Sequence, residues 1–154
     1  HLLIAGYQTG ISETCDALFE MPKDPAGRCA VSVHYYTPST FAILEEDASW
    51  GKAVPTWGTD AEFKELKHYM TMMKTHFVDN GIPVIVGEYG CPKKNKDAAS
   101  VLLYLSSVCK EAYNNQLCPV LWDVTGSHYD RDNCRMYDQE LREALVSVLE
   151  EEAR

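Results

Sequence analysis

Short strand-like segments alternate along this chain with longer segments that have the spacing of amphipathic helices. The strand-like segments are apolar runs at residues 2–7, 31–36, 83–90 and 118–124. Runs rich in β-branched and aromatic residues are typical of strands, and the third run is apolar enough to be covered on both faces. A series of strands separated by helices predicts an α/β fold in which crossover helices join parallel strands.

Three segments repeat apolar residues every three or four positions, as helices with one buried face do. The first starts at Thr59, which forms a capping box with Glu62, and stops at Asn80-Gly81. Methionines lie on its apolar stripe and are interpreted as core residues. The other two helices are predicted at 97–115 and 138–151.

The length of 154 residues and the hydrophobic content of 45% predict one globular domain over residues 1–154. No apolar run approaches the roughly 20 residues that a membrane helix requires, so no membrane partner is expected. The formal net charge of −9 disfavours nucleic acid and anionic membranes, because clustered Lys and Arg bind these partners. The sequence opens on a strand without a leading Met, from which we expect further sequence upstream.

No metal site is predicted. The six cysteines form no CxxC pair and no zinc-like spacing with histidine, and we interpret them as buried free thiols, with one or two disulfides as the alternative. The segment SHYDRDN, residues 127–133, is rich in oxygen and nitrogen ligands but lacks the Gly and distal Glu of a calcium loop. We interpret it as a solvated loop.

Four strand–helix units leave two architectures open, a small open sheet and part of an eight-stranded barrel. In a barrel the working side chains lie at the carboxyl ends of successive strands, and each strand here ends in such side chains. A doubly wound nucleotide-binding sheet requires a Gly-rich turn at the start of a helix. Neither GxGxxG nor GxxxxGK follows any of the strands, so the strand ends favour the barrel.

Glu88, His34, Tyr36 and Trp122 would suit glycoside cleavage if the fold brought them together. A Tyr hydroxyl and an imidazole favour the ionised form of a neighbouring carboxylate, which makes it a nucleophile or base at neutral pH. An indole face offers a platform for the C–H groups of a sugar ring. Taken singly, Glu88 also fits an ion-paired surface residue and His34 a structural histidine.

Several motifs, in order, resemble the carboxyl-terminal half of glycoside hydrolase family 5, most closely its subfamily-4 endoglucanases and xyloglucanases. These motifs are VSVHYYTPSTF, EEDASWGK, TWGT, PVIVGEYG and PVLWD. The resemblance implies half of a (β/α)8 TIM barrel, strands five to eight with their helices. It also implies a secreted, extracellular retaining endo-β-1,4-glucanase (cellulase) that uses no metal or cofactor and cleaves cellulose-like glucan or xyloglucan.

The resemblance also implies roles for individual residues. Glu88 matches the family's nucleophile, and His34 and Tyr36 match its catalytic partners, with Tyr36 hydrogen-bonded to the nucleophile. Three tryptophans match aromatic residues that contact substrate: Trp122, Trp50 and Trp57. For the last two, packing within their loop remains the alternative.

The chain departs from the family in one respect that concerns its activity. The family's acid/base Glu belongs to an Asn-Glu pair on the fourth strand, and no Asn-Glu pair occurs in this sequence. We therefore expect weak or no activity from this chain alone. Because a half-barrel exposes two strand edges, we expect self-association, as a homodimer or a higher oligomer that closes the ring. A self-associating half-barrel that at most binds glucans is the alternative function.

Overall fold

The structure is a computed structural model that describes residues 1–123 and 126–150. Four parallel strands form one sheet in the order β1-β2-β3-β4, so each strand lies beside its predecessor in the chain. The strands are β1 Leu2–Ile4, β2 Cys29–Tyr35, β3 Val84–Tyr89 and β4 Cys118–Leu121. The order never reverses, unlike that of a doubly wound sheet.

Three long helices and two short ones accompany the sheet. They are α1 Ile11–Thr14, α2 Ser39–Ala42, α3 Asp60–His76, α4 Ala98–Asn114 and α5 Gln139–Glu150. The three long helices confirm the periodicity of the sequence, whereas the short ones span too few residues to show a period. A small antiparallel hairpin, β5 Tyr129–Asp130 and β6 Arg135–Met136, precedes α5 and was not predicted.

The predicted capping box at the start of α3 is present. The Glu62 backbone N–H donates to the Thr59 hydroxyl, and the Glu62 carboxylate accepts from the Thr59 backbone N–H at 2.8 Å. These two bonds satisfy N–H groups that the first helical turn leaves without intrahelical partners. After α3, a single 3-10 turn leads to Gly81, whose φ of 76° lies in the left-handed region that favours glycine.

The two faces of the sheet differ in burial. Paired residues of parallel strands share a face, and the pairs Val31–Val84 and Val33–Val86 are buried against the helices. The opposite face carries Leu3, which is 58% exposed, and continues to the exposed Cys118 of β4. Within the described residues β1 pairs only with β2 and β4 only with β3, which leaves two free sheet edges.

The first and the fourth predicted strands end well before their expected last residues. The first, expected at 2–7, ends at Ile4 because the chain turns at Gly6 and enters a 3-10 turn at Tyr7. The fourth, expected at 118–124, ends at Leu121, and its predicted last residue lies outside the described residues. The predicted end of the last helix, residue 151, also lies outside them.

All six cysteines are free, as interpreted from the sequence, but only Cys91 is fully buried. Cys118 and Cys134 are exposed and the other three are half-buried, so the prediction of buried thiols is wrong for most of them. No helix within residues 1–123 and 126–150 is both long and apolar enough to cross a membrane.

Candidate active site

The carboxyl ends of β2, β3 and β4 meet around an open cleft of about 380 Å³. Tyr36, Glu88 and Trp122, each from or just after a different strand, all line it. Parallel neighbouring strands end at the same sheet edge, which is why residues so far apart in sequence converge here. The loop after β2 supplies one wall of the cleft with Ile43 and Glu45.

Two side chains hold Glu88: His34, which is on β2, and Tyr36, which directly follows β2. The Tyr36 hydroxyl donates to Glu88 Oε2 at 2.9 Å, and His34 Nδ1 lies 3.4 Å from the same oxygen. All three side chains are partly buried, and of the three Tyr36 and Glu88 line the cleft. The second Glu88 oxygen has no hydrogen bond to another described residue, so a ligand in the cleft can meet it.

A β-bulge brings Glu88 to this side of the sheet. Val33 pairs with Val86, whereas His34 pairs with Glu88, so Gly87 is an extra residue on β3. Without this extra residue, strand alternation would point Glu88 to the face opposite His34. A Cβ at Gly87 would lie 2.8 Å from the Ser32 hydroxyl oxygen, so the close approach of β2 favours glycine at the bulge.

Burial is the main cause that raises the pKa of the Tyr36 hydroxyl, and its hydrogen bond to the Glu88 carboxylate raises it further. Tyr36 therefore stays protonated and keeps donating to Glu88 well above neutral pH. The hydrogen bond from Tyr36 therefore fixes the position of one Glu88 oxygen at the cleft.

Trp122 is fixed at the rim through the backbone of β3. The Trp122 backbone N–H donates to the Tyr89 carbonyl at 2.9 Å. The two segments lie so close that a Cβ at Gly90 would be only 3.0 Å from the Trp122 carbonyl oxygen. The Trp122 side chain remains 47% exposed, although indole is largely apolar. A half-exposed indole in the same cleft as a carboxylate offers a sugar both an apolar surface and a polar group.

Asp123, which the sequence places with Trp122 at the end of the fourth predicted strand, holds the backbone of residues 127–129. The Asp123 carboxylate accepts backbone N–H bonds from Ser127 at 2.8 Å, His128 at 3.0 Å and Tyr129 at 2.7 Å. Burial alone would raise the pKa of Asp123, but these three bonds outweigh it and lower the pKa. The carboxylate therefore stabilises the loop in its ionised form.

His128 corrects the interpretation of residues 127–133 as a solvated loop. It is only 2% exposed, and its Nε2 lies 3.1 Å from the Cys91 carbonyl oxygen, which connects the loop to the end of β3. Asp130 is buried as well, where it accepts from Asn133. Polar residues in a loop suggest solvation, and sequence alone gave no signal for a contact 37 residues away.

The structure separates the other two tryptophans from the cleft. Trp57 is 5% exposed, and its ring packs edge-on against Phe63 and Tyr104. This burial favours the packing alternative for Trp57, and its contact with substrate stays a prediction. Trp50 is 58% exposed on the loop after β2 but is not among the residues that line the cleft.

Among the described residues, no three His, Cys, Asp or Glu side chains form a group that could hold a metal ion.

The sequence matches the family described as Cellulase (glycosyl hydrolase family 5) over residues 1–128. The xyloglucan-specific endo-beta-1,4-glucanase of Bacteroides ovatus is 30% identical over 147 residues, which cover 85% of this chain and 29% of that protein. Endoglucanase A of Paenibacillus barcinonensis is 29% identical over 181 aligned positions, covering 97% of this chain and 44% of that protein. This chain thus spans less than half the length of these relatives.

A comparison with a solved structure supports the same family. The GH5-4 broad specificity endoglucanase from an uncultured bovine rumen ciliate superposes with a TM-score of 0.87 at 30% identity, over 97% of this chain and 47% of that one. Its family fold implies a (β/α)8 TIM barrel, of which this chain provides a partial α/β piece with a four-stranded parallel sheet. From the match over residues 1–128 and from these relatives, the chain belongs to glycosyl hydrolase family 5.

Proposed function

We propose that this chain is the nucleophile-bearing half of the catalytic domain of a retaining endo-β-1,4-glucanase. One observation carries the proposal: Glu88 Oε2 accepts from Tyr36 at 2.9 Å in a cleft that Trp122 also lines. In this proposal residues 1–154 form a single half-barrel, strands five to eight of the ring. The consecutive parallel order of the four strands supports it.

In the proposed reaction Glu88 is the nucleophile. A Glu88 oxygen attacks the anomeric carbon of a glucosyl unit, a C–O bond to the enzyme forms, and the glycosidic C–O bond breaks. Tyr36 and His34 orient the attacking carboxylate, while Trp122 supports the sugar ring. Water then hydrolyses the glycosyl-enzyme, which returns Glu88 to its starting state and retains the anomeric configuration.

The substrate we propose is a β-1,4-glucan, either linear and cellulose-like or branched as xyloglucan. The xyloglucan-specific relative and the broad-specificity endoglucanase support this class. A neutral polysaccharide is also compatible with the net charge of −9, which disfavours anionic ligands. Because such polymers lie outside cells, we propose that the parent enzyme acts extracellularly. The proposed chemistry requires no cofactor.

The leaving oxygen of a natural glucan requires a proton from a second carboxylic acid. This sequence contains no Asn-Glu pair of the kind that supplies it in the family. Besides Glu88, the acids that line the cleft are Asp123 and Glu45. The Asp123 carboxylate accepts three backbone N–H bonds and its pKa is lowered, which makes it a poor proton donor. The Glu45 carboxylate lies 3.7 Å from the Lys94 ammonium, so it pairs with a cation rather than serving as a proton donor. We therefore propose weak or no glucan hydrolysis by this chain alone.

A substrate with a good leaving group tests Glu88 without the acid. In dinitrophenyl 2-deoxy-2-fluoro-β-cellobioside the phenolate departs with the bond electrons and needs no proton, and the fluorine slows hydrolysis of the glycosyl-enzyme. We expect intact mass to rise by one fluorocellobiosyl group and peptide mapping to locate it on Glu88. Glu88→Gln should remain unlabelled, and Glu65→Gln, which changes an exposed acid on α3, should be labelled normally.

A second candidate function is a non-catalytic half-barrel that self-associates and at most binds glucans. The two free sheet edges and the exposed apolar Leu3 and Val120 favour self-association. Absence of labelling combined with measurable cellotetraose binding would support this candidate and overturn the nucleophile assignment. Light scattering coupled to size exclusion tests the association: we expect a homodimer or larger species, and a clean monomer would contradict it.

A further inference from the structure

Several polar contacts join the segment after β3 to the loop after β2. This segment, Lys93–Asp97, follows directly on residues that line the cleft, and the β2 loop carries the cleft wall formed by Ile43 and Glu45. Asn95 Nδ2 donates to the Glu45 carbonyl at 3.1 Å, and the Asp97 backbone N–H donates to the Pro55 carbonyl at 2.8 Å. The two segments are therefore joined near the middle and near the end of the β2 loop.

Lys96 makes the central contacts of this junction. Its ammonium donates to the Val54 carbonyl at 2.7 Å and to the Thr40 carbonyl at 3.3 Å, and it lies 5.1 Å from the centroid of the Phe41 ring. The Thr40 carbonyl also accepts from the Val54 backbone N–H at 3.0 Å. One half-buried cation thus connects the start and the end of the loop, at the point where the loop closes on itself.

Phe41 gives this contact a rigid support. It is fully buried and packs against Tyr104 of α4 at 5.4 Å between ring centroids. The cleft wall begins at the next residues, Ala42 and Ile43. A cation held over the Phe41 ring and bound to the flanking carbonyl therefore restricts the backbone that enters the wall.

The neighbouring lysines differ from Lys96 in exposure. Lys94 is paired with Glu46 at 2.8 Å and with Glu45 at 3.7 Å, but all three side chains are largely exposed. Ion pairs of this kind contribute little in water. Lys93 donates to the Ser127 carbonyl at 3.2 Å, on the opposite side of the cleft, and is exposed as well. Lys96 is therefore the lysine whose contacts water replaces least readily.

We propose that Lys96 is a positioning residue that holds the cleft wall of Ile43 and Glu45 in the conformation that receives the ligand. This proposal rests on the proposed function for the identity of that ligand, a β-1,4-glucan. It predicts that a change at Lys96 alters ligand affinity without a change in the residues that contact the sugar. Losing the charge-assisted bonds should make opening of the loop about tenfold more favourable.

Lys96→Met tests the proposal, because it keeps most of the aliphatic chain over Phe41 and removes the ammonium. We expect hydrogen exchange of peptides covering residues 38–57 to become about tenfold faster, with exchange in α4 unchanged. Lys96→Arg keeps donors for both carbonyls and should restore most of the protection. Lys67→Met, which removes an exposed charge from α3, should leave hydrogen exchange of residues 38–57 unchanged.

Cellotetraose titration by calorimetry adds the functional readout. We expect weaker binding by Lys96→Met and recovery by Lys96→Arg, and the melting temperature of Lys96→Met should lie no more than about 4 °C below that of Lys96→Arg, because only the bonds to two carbonyls are lost. Unchanged exchange in residues 38–57, or faster exchange throughout the chain, would overturn the positioning role. If the unmodified chain binds no cellotetraose, glucan binding by this chain fails, while the exchange comparison still decides whether Lys96 holds the loop.

Discussion

The hydrogen bond between Tyr36 and Glu88 can be tested by its contribution to stability. Tyr36→Phe removes one oxygen atom and leaves the ring, so the free energy of unfolding reports mainly on the lost bond. Hydrogen bonds to charged groups contribute about 1.5–3 kcal/mol. The Glu88 side chain keeps 23% of its surface exposed, so water can replace part of the interaction. We therefore expect a loss of about 1.5 kcal/mol, the lower end of that range.

A double-mutant cycle separates this bond from other effects of the substitution. Glu88→Gln keeps the shape of the side chain and an oxygen that can accept from Tyr36 but removes the charge, so the cycle with Tyr36→Phe measures the charge-assisted part of the bond. We expect a coupling of about 1 kcal/mol between the two positions, as is usual for side chains in direct contact. The assay is urea unfolding at pH 7, followed by tryptophan fluorescence.

Tyr137→Phe is the matched control, because Tyr137 is 55% exposed and lies away from the cleft residues. It should change the unfolding free energy by no more than about 0.5 kcal/mol. If Tyr36→Phe behaves like this control, and the double variant equals the sum of the single ones, the bond does not hold Glu88 and the reasoning is refuted.

Three further predictions concern the frame around the cleft. Thr59→Ala should destabilise the chain by about 1 kcal/mol through loss of the α3 cap, whereas Thr75→Ala, whose hydroxyl bonds only to carbonyls of its own helix, should cost less; urea unfolding compares them. Met70→Ala should cost about 2–5 kcal/mol, because Met70 is fully buried in the core; a loss below 1 kcal/mol would contradict that packing. Since the folded pKa of Asp123 is lowered, its contribution should be complete above its unfolded value of about 3.9 and disappear as pH falls through the folded pKa. Asp123→Asn should flatten that part of a pH–stability curve.

Local sequence patterns predicted the elements of the frame. The three long helices followed from apolar spacing, and the cap of α3 followed from Thr59 and Glu62 alone, because both signals lie within a few residues. That Glu88 and Tyr36 lie at the same edge of the sheet could also be predicted, since parallel strands in sequence order bring their carboxyl ends to one edge.

Features that depend on register or on distant contacts could not be predicted in this way. The bulge at Gly87 decides which face Glu88 occupies, but a glycine within an apolar run has several explanations in sequence. Trp57 and Trp50 lie in the same aperiodic loop, and only their packing separates the buried ring from the exposed one. His128 and Asp123 organise a loop through backbone groups, which leave no pattern in the side-chain sequence.

We infer that self-association closes the sheet of this chain but does not supply the second carboxylic acid that glucan cleavage requires. A symmetric dimer of four-stranded units can cover the free edges and the face that carries Leu3. It would place a second Glu88 four strands from the first, whereas the family resemblance places the acid three strands from the nucleophile. Retaining cleavage needs the two carboxyl groups about 5–5.5 Å apart. A separation of four strands instead of three therefore places the second Glu88 too far from the first to act as the acid. A chain that is dimeric by light scattering should therefore accept the fluorocellobiosyl label yet fail to turn over glucan, and efficient turnover by that dimer would overturn the inference.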